Sequence, residues 1–298
     1  MTATILTETS IASLPSASGV EIIGGTAYVI GDDAPLLYQL DAHTLAVTGR
    51  VPLFETSAFG TGRLPKASKP DLECMAALTW PDGRAGLLLL GSGSLPTRAR
   101  GWFVPTAAAG PATPEAVDLA PLYELLRPHL PTGTVLNLEA AATSATELLL
   151  FQRTVGRADA ALLFRLPLAA TLAFVQGRGV APAVVKTPFV LPEIDGSPAG
   201  FSGATAVDGL LFVTASVENT SDAVLDGEVL GSYVGLVNLD TQKAAFALLA
   251  WHDGRPYRGK VEGLAVRRAV GQRHWELLLV TDDDQGGSTA VVAEINLA

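Results

Sequence analysis

A short pattern recurs five times along the 298-residue chain, and it limits what the chain can fold into. Each copy sets a glutamate, or once a serine, between apolar or small residues. A turn, a strand-sized apolar burst and a polar ending follow. The copies begin at Val20-Glu21-Ile22-Ile23, Leu72-Glu73-Cys74-Met75, Leu138-Glu139-Ala140-Ala141, Phe201-Ser202-Gly203-Ala204 and Val261-Glu262-Gly263-Leu264. Their bursts are 27–30, 86–90, 147–151, 210–214 and 276–280. The unit recurs about every 50 to 65 residues, slightly more than the ~40–50 of a propeller blade. The excess has visible sources, since 121–130 and 166–176 read as short helical insertions.

Further strands are expected at 36–40, 101–104, 161–166, 233–239 and 291–295, with a fourth strand at 243–251. The last unit runs out early, while residues 5–12 form a spare strand ahead of the first. Pairing the two closes a ring and hides its edges. The chain is therefore read as all-β, a single β-propeller domain over residues 1–298. Five blades follow from the count, and six is the alternative if 154–200 conceals a degenerate unit. A two-sheet sandwich would not supply five recurrences and complementary ends.

Composition narrows the function. Twenty basic against 30 acidic residues give a net charge of −10, which excludes the basic stripe of a nucleic-acid binder. The mean hydropathy of +0.34 comes from bursts of four to six apolar residues, and no run approaches the ~20 needed to span a membrane. One cysteine, Cys74, excludes an internal disulfide and thiolate-rich zinc sites. The first residues lack the basic and apolar regions of a secretion signal, so a cytoplasmic location is expected. The sequence shows no obvious exposed apolar helix or free long edge to argue for assembly, so a monomer is expected.

In a propeller the start of strand one and the end of strand two share a face. That gathers an inner ring of Glu21, Glu73, Glu139, Ser202 and Glu262. An outer ring holds Asp32, Asp33, Ser92, Ser94, Gln152, Arg153, Glu218, Asn219 and Asp282–Asp284, with Lys69 and Lys260 reaching in. Converging carboxylates need a cation, a basic partner or a proton. Oxygen donors without clustered histidine suit Ca²⁺, with Glu21, Glu73, Glu139, Glu262, Asp32 and Asp282 as expected ligands. Lys69, Arg153, Lys260, Glu218 and Asn219 are the expected contacts of a small anionic substrate, and Glu139 or Glu262 the general base. The bland reading has each glutamate accept backbone N–H groups and pin blades together. His252, ahead of Glu262, reads as a loop residue. The acidic loop 217–231 and the basic loop 54–70 are expected to overhang the channel.

Lys260-Val261-Glu262-Gly263-Leu264, with Thr281-Asp282-Asp283-Asp284 after it, resembles the EGL … SDN/SDD signature of the phytase-like β-propellers, labelled "esterase-like activity of phytase". Asp71-Leu72-Glu73 is similar to the DLEG element of that family and of SdiA-regulated propellers. Cys74 and Ala140 replace the glycine elsewhere, and Asp283 stands where asparagine is usual. The resemblance implies an ester or phosphoester hydrolase. A non-catalytic propeller that binds a ligand or partner protein is the alternative.

Overall fold

Five antiparallel sheets stand around one axis in the computed structural model, which describes residues 1–60, 62–106, 112–154, 156–157, 161–219 and 227–297. Blade one comprises β2 (Ala17–Ile23), β3 (Thr26–Gly31), β4 (Leu36–Asp41) and β5 (Val47–Pro52). Blade two holds β6 (Leu72–Thr79), β7 (Ala85–Gly91), β8 (Arg100–Pro105) and β9 (Glu115–Asp118). Blade three is built from β10 (Leu138–Thr143), β11 (Glu147–Gln152), β12 (Leu162–Pro167) and β13 (Val185–Pro188). A two-strand hairpin, β14 (Glu193–Ile194) and β15 (Ser197–Pro198), precedes blade four. That blade comprises β16 (Gly200–Val207), β17 (Leu210–Asn219), β18 (Glu228–Asn238) and β19 (Lys243–Ala250). Blade five takes β20 (Lys260–Gly271), β21 (His274–Asp282) and β22 (Ser288–Asn296) from the end of the chain, and its outer strand β1 (Thr2–Ser10) from the beginning. The spare N-terminal strand thus completes the last blade. Over Ala3 and Thr4 it also pairs in parallel with β19, joining blades four and five.

The innermost strands touch in the order β2, β6, β10, β16, β20 and back to β2, which closes the ring. Five apolar clusters fill the five gaps between blades. Leu88 and Phe103 meet Leu148 and Phe164 between blades two and three, and Phe212 meets Trp275 between four and five. Second strands read as unbroken apolar runs because both their faces are covered. The outer strands β5, β9 and β13 are mostly exposed and carry little apolar signal, so the sequence does not announce them. The two insertions are helical as expected, at α1 (Ala120–Leu126) and α2 (Leu168–Val175). Residues 154–200 hold the outer strands of blade three, α2 and the hairpin, and no sixth blade lies among the described residues. None of the helices is long and apolar enough to cross a membrane.

Each innermost strand breaks register at the same height, and β20 does so twice more further along. The residues skipped at the shared height are Ser18, Glu73, Glu139, Ser202 and Glu262. A bulge leaves its extra residue outside the ladder and free to aim elsewhere. The first member of the inner ring is therefore Ser18, not Glu21, which pairs with Tyr28 three residues further on. The signal was in the sequence: Ala17-Ser18-Gly19-Val20 matches Phe201-Ser202-Gly203-Ala204 better than the copy built on Glu21 does. Just past the bulge, backbones nearly touch. A Cβ on Gly263 would lie 2.9 Å from the Gly19 Cα, and one on Gly203 2.9 Å from the Gly263 Cα. The void there is about 10 Å³, room for roughly one water.

A candidate cation site at the channel mouth

Because the channel is closed, the site is a charged floor rather than a pore. Its two halves differ. On the side of blades three to five, Arg153 leaves the end of β11 and enters the space between three carboxylates. Its Nη1 lies 3.4 Å from both Glu139 Oε2 and Glu262 Oε2, and its Nη2 bonds Glu218. Lys260 reaches Glu262 at 3.1 Å, Asp284 at 3.3 Å and Glu218 at 3.9 Å. Asn137 Nδ2 donates to Glu139 at 2.6 Å. Burial drives the Glu139 carboxyl up to about 7; Arg153 opposes the rise and Glu262 adds to it. Burial also works on Glu218, but Arg153 and Lys260 together hold it below the ordinary carboxylate range. Gly200 is needed here, since a Cβ would sit 2.6 Å from Arg153 Cγ.

On the side of blades one and two, Asp32 ends β3 while Asp71 and Glu73 flank the start of β6. One oxygen from each lies within 4.8 Å of the others. Lys69 Nζ bonds Asp32 Oδ2 and lies 2.8 Å from Asp71 Oδ1. The second Asp71 oxygen accepts from Arg98 at 2.8 Å and from the Ser92 hydroxyl at 2.5 Å. Asp71 holds φ at +57°, a conformation uncommon for a residue with a side chain and found at constrained sites. Asp32 Oδ1 and Asp33 Oδ1 are buried without a hydrogen-bond donor. Among the described residues Glu73 has no hydrogen bond or ion pair. Burial raises its carboxyl well above the usual range, with Glu139, Asp71 and Asp32 adding to the shift. Asp32 is lifted to about 6 by burial against the pull of Lys69, and Asp282 to about 7 by burial and by Asp284.

The mouth thus gathers Asp32, Glu73, Glu139, Arg153, Glu218, Lys69, Lys260, Glu262 and Asp282, all expected there from the repeat. It adds Asp71 and Arg98, which the repeat alone does not single out; Asp71 was visible as the first residue of the Asp71-Leu72-Glu73 element. Ser18 and Ser202 do not open the ring. Ser18 donates to the Leu72 carbonyl, and Ser202 is fully buried beside Thr214 and Ser216. Asn219 is exposed at the end of β17, and His252 lies exposed in the turn before Tyr257. Of the acidic loop 217–231, residues 220–226 lie outside the described residues. The basic loop delivers Lys69 to Asp32 and Arg63 to Asp33.

Glu21 lies deeper, inside the channel. Three residues past the bulge the other strands carry Ala76, Ala142, Thr205 and Ala265, so Glu21 occupies a level otherwise lined by small side chains. Thr205 donates to it from blade four at 3.5 Å. Burial raises its carboxyl to about 8, partly offset by the backbone of Ile22, by Thr205 and by the backbone of Ala77. The folded value exceeds the unfolded one, so its contribution is complete below the unfolded value and is lost as pH climbs toward 8. Glu21→Gln should therefore melt with the parent at pH 5 and several degrees above it at pH 9. Parallel melting curves across that range would contradict a protonated Glu21.

The family model described as "Family of unknown function (DUF6929)" matches residues 13–295. No curated protein matches the chain. Among solved structures, Myxococcus xanthus glutaminyl cyclase is similar at 12% identity and a TM-score of 0.47, covering 99% of this chain and 98% of its own. The Myceliophteria thermophila Cps50 (Swd1) β-propeller domain is similar at 9% identity and a TM-score of 0.42, covering 99% and 100%. Kuenenia stuttgartiensis hydrazine synthase gives 15% and 0.41 over 92% and 78%.

Proposed function

The chain belongs to the DUF6929 family of unknown function, and we propose that its channel mouth binds a divalent cation of the calcium type and hydrolyses a small anionic ester, lactone or phosphoester. One observation carries the reading: oxygens of Asp32, Asp71 and Glu73 converge within 4.8 Å while Asp32 Oδ1 is buried without a donor. Asp32, Asp71 and Glu73 would hold the ion, with Asp282 beside them. Hard oxygen donors without thiolate or imidazole fit Ca²⁺. A bound cation polarises an ester or phosphoryl oxygen and lowers the pKa of water. Glu139, with its carboxyl near 7, suits the general base at neutral pH. Glu262, facing both Arg153 and Lys260, orients Arg153. The phytase-like motif residues point the same way, since Asp71–Glu73 and Lys260–Gly263 all start innermost strands at this face.

The expected result is turnover of aryl esters or phosphoesters that EDTA abolishes and Ca²⁺ restores. Glu139→Gln should lower turnover about 100-fold while melting with the parent, a loss in the range of removed general-base catalysis. No turnover by folded, calcium-loaded protein would overturn the hydrolase reading. The Arg153 ion pairs favour a second reading, in which Glu139, Glu218 and Glu262 tie three blades together and the mouth only binds. There, Glu139→Gln lowers the melting temperature instead.

A further inference from the structure

Resting on that cation site, we propose that Lys69 is its displaceable internal cation: the ammonium occupies the place between Asp32 and Asp71 that a divalent ion takes, and ion binding drives the lysine out. The ammonium and the ion compete for the same oxygens. Lys69 holds Asp32 Oδ2 and Asp71 Oδ1, whereas Arg98 and Ser92 hold only Asp71 Oδ2 and can stay. Calcium binds its oxygens at about 2.3–2.6 Å. An ammonium hydrogen-bonded to those oxygens would lie almost against the ion, and like charges that close repel strongly.

The lysine also serves the cluster incompletely. Lys69 and Arg98 bring two charges to three carboxylates, no ion pair reaches Glu73 among the described residues, and the buried Oδ1 atoms of Asp32 and Asp33 lack donors. A divalent ion offers two charges and more coordination positions. Among the described residues, no partner other than these carboxylates holds the ammonium. Its side chain is 11% exposed at the rim, on a flexible four-carbon stem, at the end of the long connection between β5 and β6. Its backbone N–H closes a turn onto the Pro65 carbonyl, so the side chain can swing without moving β6.

The test is calorimetric titration of the intact protein and of Lys69→Met with Ca²⁺. The variant should bind at least tenfold more tightly, because its carboxylates no longer exchange one cation for another. Labelling with an amine-acylating reagent, read by mass spectrometry, tests the parent alone and decides the matter if the variant does not fold. Lys69 should be protected without Ca²⁺ and labelled severalfold faster at saturation. Equal or weaker binding by Lys69→Met, or unchanged Lys69 labelling in calcium-saturated parent, overturns the displacement. Failure of both folded proteins to bind Ca²⁺ overturns the cation site itself.

Discussion

Replacing Arg153 by methionine should be among the most damaging single changes to this fold, at about 3–5 kcal/mol near neutral pH, because it strips one cation from three buried carboxylates. Arg153 is 4% exposed and contacts Glu139 from blade three, Glu218 from blade four and Glu262 from blade five. Methionine keeps most of the length and none of the charge. The sign of the pH dependence follows. Arg153 pulls down the carboxyls of Glu139 and Glu218, so without the guanidinium their folded-state pKa values rise, and the variant regains stability as pH falls and they take up protons. The gap between parent and variant in urea midpoint should be widest at pH 8 and narrow toward pH 5. A constant gap would mean that methionine fails for reasons of packing, and that the carboxylates do not depend on the arginine.

Gly263→Ala should cost about 3 kcal/mol, at the upper end of overpacking penalties, because what its Cβ meets cannot step aside. The nearest atoms are backbone: Gly19 Cα at 2.9 Å and Val20 N at 3.0 Å. Relief would require neighbouring blades to separate at their tightest contact. Gly271→Ala is the control on the same strand, since nothing there comes closer than 3.8 Å. Its change should stay within about 0.5 kcal/mol, as for ordinary surface substitutions. Equal urea midpoints for the two variants would contradict a channel closed by backbone contact.

The repeat made the blade count legible because second strands, covered on both faces, must be apolar throughout. The bursts at 27–30, 86–90 and 276–280 therefore mark blades directly. Ring closure was legible for a complementary reason, since residues 5–12 had no partner until the last blade ran short of a strand. Register was harder. Glu21 stood in a plausible copy of the motif, but the bulge, not the glutamate, defines the position, and a bulge is a feature of pairing that no single strand shows. The outer strands were hidden because half-exposed edges need no apolar pattern. At the mouth, the rings gathered carboxylates that do lie together there, without revealing how they divide. Which of them Arg153 would take, and which would be left to Lys69, depends on distances between blades that sequence spacing does not encode. Asp71 stood in view in the Asp71-Leu72-Glu73 element, but its place beside Asp32 was not legible, since it depends on a φ of +57° and on a residue of another blade.

The most direct test of the cation site is a crystal of the protein grown with Mn²⁺ in place of Ca²⁺, with data collected to show anomalous scattering. The account predicts one strong peak bounded by oxygens of Asp32, Asp71 and Glu73, with the Lys69 ammonium moved away. A peak among Glu139, Glu218 and Glu262 instead, or none at the mouth of a fully folded protein, would contradict it.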